Sequence, residues 1–228
     1  TSQTGDVNFQ NTEVRNKNYD MIPGIVEKKK KKINDLAGTN YKPFNYYGDN
    51  NATHVIVAMG SVCDTIKTVV DKLNTQGKHV GLIEVHLYRP FSSKYLLSVL
   101  PSTAKCVAVL DRTKEPGSSG EPLYLDVVSV LKDKNINVVG GRYGLSSKDV
   151  PLKDINAVFD NLFKENLKNN FTIGIIDDVT NLSLESKEIN INADYKEVEV
   201  FGFGSDGMVG AFKFFMKVLG DMDENYVQ

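Results

Sequence analysis

From residue 53 the chain repeats one pattern: an unbroken apolar run, a turn carrying Gly or Pro, then apolar residues at helical spacing. Thr53–Met59 is the first run, Gly60-Ser61 the turn with Ser61 as helix N-cap, and Ile66, Val69, Val70 and Leu73 the helical stripe that stops at Gly77. His79–His86 is the second strand. Arg89-Pro90-Phe91 breaks the chain, and Ser92–Leu100 is a short helix stopped by Pro101. Lys105–Asp111 is the third strand, Leu123–Leu131 a helix, Ile136–Val139 the fourth strand, Leu152–Leu167 a helix and Phe171–Ile176 the fifth strand. Strands without a polar face must be covered on both sides. The expected fold is therefore α/β: an open, mostly parallel five-stranded sheet with helices on both faces and right-handed crossovers. Such a sheet presents ligands to the loops at the carboxyl ends of its strands. Those are Gly60-Ser61, Tyr88–Phe91, Asp111–Gly120 and Gly140–Gly144.

The flanks read differently. Residues 1–20 are rich in Asn, Thr and Gln and read as an extended tail. Lys28–Lys32 follows Pro23-Gly24 and is flanked by Ile22, Ile25, Val26, Ile33 and Leu36 at helix-like spacing, so it reads as the solvated face of a helix ended by Gly38 rather than as a nucleic-acid patch. Beyond the α/β pattern, 183–197 is a polar linker. Val198–Phe203 reads as a new strand, and a glycine turn leads into a helix that reaches Gly220. One strand and one helix cannot bury their own apolar faces, so this unit is expected to open a further domain. The expected division is 1–50 linker and helix, 51–182 the α/β domain, 183–197 linker, and 198–228 the start of another domain.

Charge and cysteine usage narrow the function. A net charge of −2 and a pI near 5.9 argue against a protein built to hold nucleic acid. No apolar run reaches the length of a membrane helix, and no signal-type segment is visible at the start, so the expected location is the cytoplasm. Cys63 and Cys106 stand in apolar segments outside any CxxC and read as packing residues. His54, His79 and His86 lie at or in strands without helical i, i+4 spacing, so no metal site is expected.

Chemistry-bearing candidates cluster in loops. Gly202-x-Gly204-x-x-Gly207-x-x-Gly210 opens a helix and reads either as a phosphate cradle, in which Asp206 would set a carboxylate beside the anion, or as a tight-packed turn. Arg112–Pro122 mixes Gly, Pro and both charges at a strand end. It reads either as an anion- or partner-binding loop or as a loop pinned by internal ion pairs. Arg142, in Gly140–Gly144, can face a carboxylate or a neighbouring domain. Asp177-Asp178 reads as capping and turn formation, since neighbours in a strand point to opposite faces. No nucleophile–base arrangement emerges, so no catalytic residue is assigned.

The same stretches carry a family resemblance. Tyr88-Arg89-Pro90-Phe91, Leu110–Gly117, Gly120–Val127, Gly140–Lys148, Phe171–Ile175, Asp177–Thr180 and Gly202–Gly207 resemble pyruvate:ferredoxin oxidoreductase, in that family's order and over nearly the whole chain. The resemblance implies an enzyme that decarboxylates pyruvate oxidatively and forms acetyl-coenzyme A, with thiamine diphosphate, magnesium and iron–sulfur (4Fe–4S) clusters. Electrons would go to ferredoxin or, through a fused flavoprotein reductase, to NADP. It implies a homodimer when full-length and, for a protist source, an organelle as a second location. It places ~50–180 in a domain like the C-terminal domain of transketolase, and residues from ~198 at the start of a domain linked with coenzyme A. Gly204, Ser205, Asp206, Gly207 and Lys213 are then candidate coenzyme A contacts, and Arg89, Arg112, Lys114 and Arg142 candidate anion or interdomain contacts. Met208 and Phe212 stand where the family has Thr and Asn, which removes a hydroxyl and an amide.

The thiamine-binding domains and cluster cysteines lie outside this chain. The expectation is thus a non-catalytic segment that is inactive alone, binds no cofactor itself, and has the other domains of the same enzyme as partners. The alternative is a stand-alone module binding a small anion or a partner subunit.

Overall fold

The computed structural model describes residues 2–190, 198 and 200–222. It forms two compact units, 1–190 and 191–228. The first holds two helices, α1 (Gly5–Val14) and α2 (Asn16–Ala37), and then a mixed α/β array. In chain order this is β1 (Phe44–Gly48), β2 (His54–Ala58), α3 (Val62–Thr75), β3 (Val80–Val85), α4 (Ser93–Val99), β4 (Cys106–Asp111), α5 (Pro122–Leu131), β5 (Asn137–Arg142), α6 (Leu152–Leu162) and β6 (Phe171–Thr172). A single 3-10 turn, Leu145–Ser147, precedes α6.

The sheet has six strands in the order β1-β3-β2-β4-β5-β6. All neighbours are parallel except β1, which runs antiparallel to β3 with Phe44 opposite Val85. Period-two alternation divides each central strand between two cores. Ile56, Ala58, Leu82, Ala108 and Leu110 pack with Ile66, Val69 and Val70 of α3 and with Ile155, Val158 and Phe159 of α6. Val55, Val57, Ile83, Val85, Val107 and Val109 pack with Leu96 of α4 and with Leu123, Val127 and Leu131 of α5. Helices therefore cover both faces, as the apolar runs require. Among the described residues no helix is long and apolar enough to cross a membrane.

Several expectations need correction. The sheet has a sixth strand, β1, which the sequence hid: Phe-Asn-Tyr-Tyr-Gly has no aliphatic run. Phe44 anchors it, 1% exposed and edge-on to Phe91 at 5.5 Å. Residues 5–14 are helical rather than extended, although α1 buries nothing. Helix α2 runs through Pro23, which is its one buried residue, and closes on Gly38 in the left-handed region, where Gly38 N–H donates to Asn34 O at 2.9 Å. Its lysines are solvated except Lys30, which is half-buried and donates to Lys42 O at 3.0 Å. Ile25, Ile33 and Leu36 are exposed, so the expected stripe is covered only at Ile22 and Val26.

Two further boundaries moved. Helix α6 ends at Leu162 rather than Leu167, because the Asn161 amide turns the chain by pairing with Lys168 N and O at 3.0 and 2.9 Å. Strand β6 is two residues long, since Gly174 at φ +80° redirects the chain.

The glycines of β5 explain why the fourth strand outruns its predicted end. A Cβ on Gly140 would stand 2.8 Å from the Tyr124 ring, and one on Gly141 only 2.0 Å from the Phe171 ring. Gly140-Gly141 is thus strand interior that seats two aromatic rings, not part of an open loop. Gly141→Ala is expected to lower unfolding stability by about 1–3 kcal/mol, because Phe171 is fully buried and would have to shift. A urea-denaturation midpoint unchanged within error would contradict this packing.

In the second unit, helix α7 (Met208–Met222) forms as expected. The described residues 198 and 200–203 carry no strand. A lone strand has no ladder to join, and Val198, Phe201 and Phe203 are exposed.

Candidate functional site

The carboxyl ends of β2, β4 and β5 bring together the loops that carry the sequence motifs. Asp111, 2% exposed, ends β4 and points both carboxylate oxygens at the start of α5: Leu123 N–H and Tyr124 N–H donate at 3.1 and 3.0 Å. Burial pushes this carboxyl above its ordinary range, while the two N–H donors pull the other way. Glu121, whose side chain is 3% exposed, lies between Lys114 at 3.6 Å and Arg142 at 3.4 Å. Arg142 also donates to Asn170 O at 2.7 Å. The loop 112–122 is therefore pinned from below by a buried carboxylate and two cations. Internal ion pairs account for Lys114 and Arg142, whereas Arg112 lies outside them.

The other candidates fall elsewhere. Arg89 donates to Asp126 at 2.6 Å and to the Tyr88 hydroxyl at 2.9 Å, with its guanidinium 3.9 Å from the Tyr88 ring centre. It borders an open hollow of about 570 Å³ lined by Tyr19, Ile22, Pro90, Phe91 and Asp126. Arg112 is exposed and bonded only through Nε, to Gly144 O at 2.9 Å, among the described residues. It lines a second cavity of about 310 Å³ with Met59, Gly60, Ser61, Tyr88, Asp111, Thr113, Pro122 and Tyr143. Tyr143 is 6% exposed. Burial pushes its hydroxyl up to about 12, so the proton stays on oxygen at neutral pH. Sequence reasoning placed Tyr143 in the strand-end loop Gly140–Gly144 but singled out only Arg142 there, because a tyrosine carries no charge; its place at a strand end was the available signal.

Asp177 makes a turn as expected, accepting from Val179 N and Thr180 N, both at 3.0 Å, and from the Thr180 hydroxyl. These bonds hold its carboxyl below the ordinary range. In the second unit, Gly204, Ser205 and Gly207 all have positive φ. Asp206 accepts from Phe203 N at 2.7 Å and from Met208 N at 3.0 Å. Its carboxylate thus sits at the start of α7, where a phosphate cradle would hold its anion, and those bonds lower its pKa. Lys213 lies exposed further along α7. Cβ positions on Gly204 and Gly207 would meet nothing within 4 Å, so the turn stays open on that side.

Residues 52–155 match the family model described as pyruvate:ferredoxin oxidoreductase core domain II. Over its full length the chain is 50% identical to the pyruvate:ferredoxin oxidoreductase of Moorella thermoacetica. It is 47% identical to the pyruvate-flavodoxin oxidoreductase of Klebsiella pneumoniae and 45% identical to a probable pyruvate-flavodoxin oxidoreductase of Escherichia coli. It spans 20% of the length of each of these curated relatives. A solved 2-oxoglutarate:ferredoxin oxidoreductase from Magnetococcus marinus aligns with 53% of this chain and 20% of its own, at 15% identity and a TM-score of 0.38, too slight a likeness to add to the fold.

Two carboxylates at the start of and within α5, Glu121 and Asp126, separate what is structural from what is superficial. Glu121→Ala strips a buried charge from Lys114 and Arg142 and is expected to lower stability by about 3 kcal/mol. Asp126→Ala breaks only the exposed Arg89 pair and is expected to lower it by less than about 1 kcal/mol. Equal midpoint shifts in guanidinium unfolding would refute this ranking.

Proposed function

We propose, for a chain that belongs to the pyruvate:ferredoxin oxidoreductase family, the role of a non-catalytic structural segment within a thiamine diphosphate-dependent pyruvate oxidoreductase. The whole enzyme converts pyruvate and coenzyme A to acetyl-coenzyme A and CO2 and passes electrons to ferredoxin, flavodoxin or NADP. It works in the cytoplasm as a homodimer, and the remaining domains of the same polypeptide supply thiamine diphosphate, magnesium and the iron–sulfur clusters.

One observation carries the reading: at the strand ends, where an α/β sheet keeps its chemistry, the two buried carboxylates serve as braces. Glu121 holds Lys114 and Arg142, and Asp111 caps α5. A carboxylate held this way shapes a loop and has no free base position to offer a substrate. The division into a transketolase-like domain over 51–182 and a coenzyme A-associated start from 198 belongs to the same proposal. Within it, Ser205, Gly207 and Lys213 reach coenzyme A beside the α7 terminus that Asp206 fills, with Gly204 and Asp206 shaping the turn.

An antibody raised to this chain is expected to detect an endogenous polypeptide several times larger than 25.3 kDa. A band near that size would overturn the segment reading. The purified chain is expected to show no pyruvate decarboxylation, and measurable CO2 release would equally overturn it. In the intact enzyme, Lys213→Gln is expected to raise the KM for coenzyme A roughly three- to tenfold and leave that for pyruvate unchanged. An unchanged coenzyme A KM would remove Lys213 from the site.

A further inference from the structure

We propose that the exposed flank of α2 is a docking surface for an amphipathic helix of a separate, acidic protein, one whose apolar stripe is interrupted by carboxylates. The inference goes beyond the scaffold role and does not rest on it.

Helix α2 has an inner line and an outer one. The inner line is Pro23, Val26, Lys30 and Asn34, spaced three and four residues apart. Pro23 is buried, Lys30 donates to Lys42 O at 3.0 Å, and the Asn34 amide pairs with Tyr41 N and O, both at 2.9 Å. Glu27 adds to this attachment by accepting from the Tyr95 hydroxyl at 2.7 Å. The same spacing sets Ile22, Ile25, Lys29, Ile33 and Leu36 in a second line along the helix. Ile25, Ile33 and Leu36 in it are 52%, 56% and 89% exposed. At its head Ile22 enters the wall of the open hollow of about 570 Å³, beside Tyr19, Pro90 and Phe91. An apolar hollow therefore continues into an apolar ridge at helical spacing, which is the footprint of a helix laid alongside.

Charge decides what can lie there. Lys28, Lys29, Lys31 and Lys32 are exposed, and among the described residues none of them has a carboxylate partner. The acidic residues of α2 itself are Asp20, Glu27 and Asp35, and helical spacing puts all three off the outer line. Four unpaired ammonium groups within five residues, on a chain of net charge −2, repel one another until carboxylates arrive from outside.

The order of the residues selects among anionic partners. Lys29 stands between Ile25 and Ile33, and Lys32 lies one turn before Leu36. A helix that lies on a membrane keeps its cations opposite its apolar face. Sinking this flank into lipid would carry the Lys29 ammonium in with the isoleucines. A nucleic acid offers phosphates to the lysines but nothing for three aliphatic side chains to bury against. A second copy of α2 would set lysine against lysine. A protein helix with aliphatic anchors and interposed Asp or Glu satisfies both kinds of side chain at once. A cation in the middle of the surface also separates it from permanent interfaces, whose centres are poor in charge. It suits a partner that is steered in by charge and leaves again.

The test is fluorescence anisotropy of a dye-labelled synthetic helix, with leucine at its a and d positions and glutamate at e and g, titrated with the full-length polypeptide. Saturable binding that weakens as salt rises is expected. Lys29→Glu combined with Lys32→Glu is expected to weaken it roughly tenfold or more, and Ile25→Ser combined with Ile33→Ser several-fold. None of these four residues is buried, so circular dichroism and the thermal midpoint are expected to stay those of the wild type, which controls for folding. Poly-glutamate, which has the charge without the anchors, is expected to bind roughly tenfold more weakly than the helix, and the same peptide with lysine for glutamate is expected not to bind. The proposal is overturned by no saturable binding, by poly-glutamate binding as tightly as the helix, or by unchanged affinity in either double variant. Tighter binding of duplex DNA or of phosphatidylserine vesicles than of the acidic helix would overturn it as well.

Discussion

A strand covered on both faces has no solvent side to set its register, and everything else in this sheet follows from how that constraint is met. Each central strand sends alternate residues into two separate cores, so a shift of one residue would exchange the contents of both. Val55 and Val57 lie against α4 and α5, whereas Ile56 and Ala58 lie against α3 and α6. The helices are therefore not decoration on a finished sheet. They are the second half of each strand's burial, and the crossovers that carry them decide which loops meet at the carboxyl edge.

That edge shows how a buried charge is used once the cores are fixed. Glu121 and Asp111 are both removed from water, and each is matched by donors from a different element. Glu121 ties the loop after β4 to β5 through Arg142, and Asp111 ties β4 to the first turn of α5. The loop after β4 is held on its inner side for this reason. Arg112 stands on the outer side of the same loop, bonded through Nε to Gly144 O.

The aliphatic strands and the amphipathic helices between residues 53 and 162 were legible because apolar period and glycine punctuation agree there. Strand β1 was not, since its evidence is one deep phenylalanine and an antiparallel pairing with a strand that lies later in the chain. Gly140-Gly141 looked like a loop because a glycine pair carries no sign of what it packs against. The tyrosine and phenylalanine that need the space are 16 and 30 residues away from Gly140 and Gly141 respectively. The four cations were visible in sequence but not their partners: pairing with Glu121 and Asp126 is set by tertiary contact and separates Arg112 from the rest. Tyr143 shows the same limit. Its burial comes from tertiary contact and is not written in its neighbours.

Three aromatic rings rest on four glycines: Tyr46 on Gly81, Tyr124 on Gly120 and Gly140, and Phe171 on Gly141. In each set a single volume is shared, so the identity of one position is conditional on the others. In the terms of sequence divergence, these are not seven independent sites but three coupled sets. A descendant lineage reaches a larger residue in place of glycine only after the facing ring has shrunk, and the intermediate with both groups large is closed to it. The fold's packing thereby sets an order in which substitutions can accumulate.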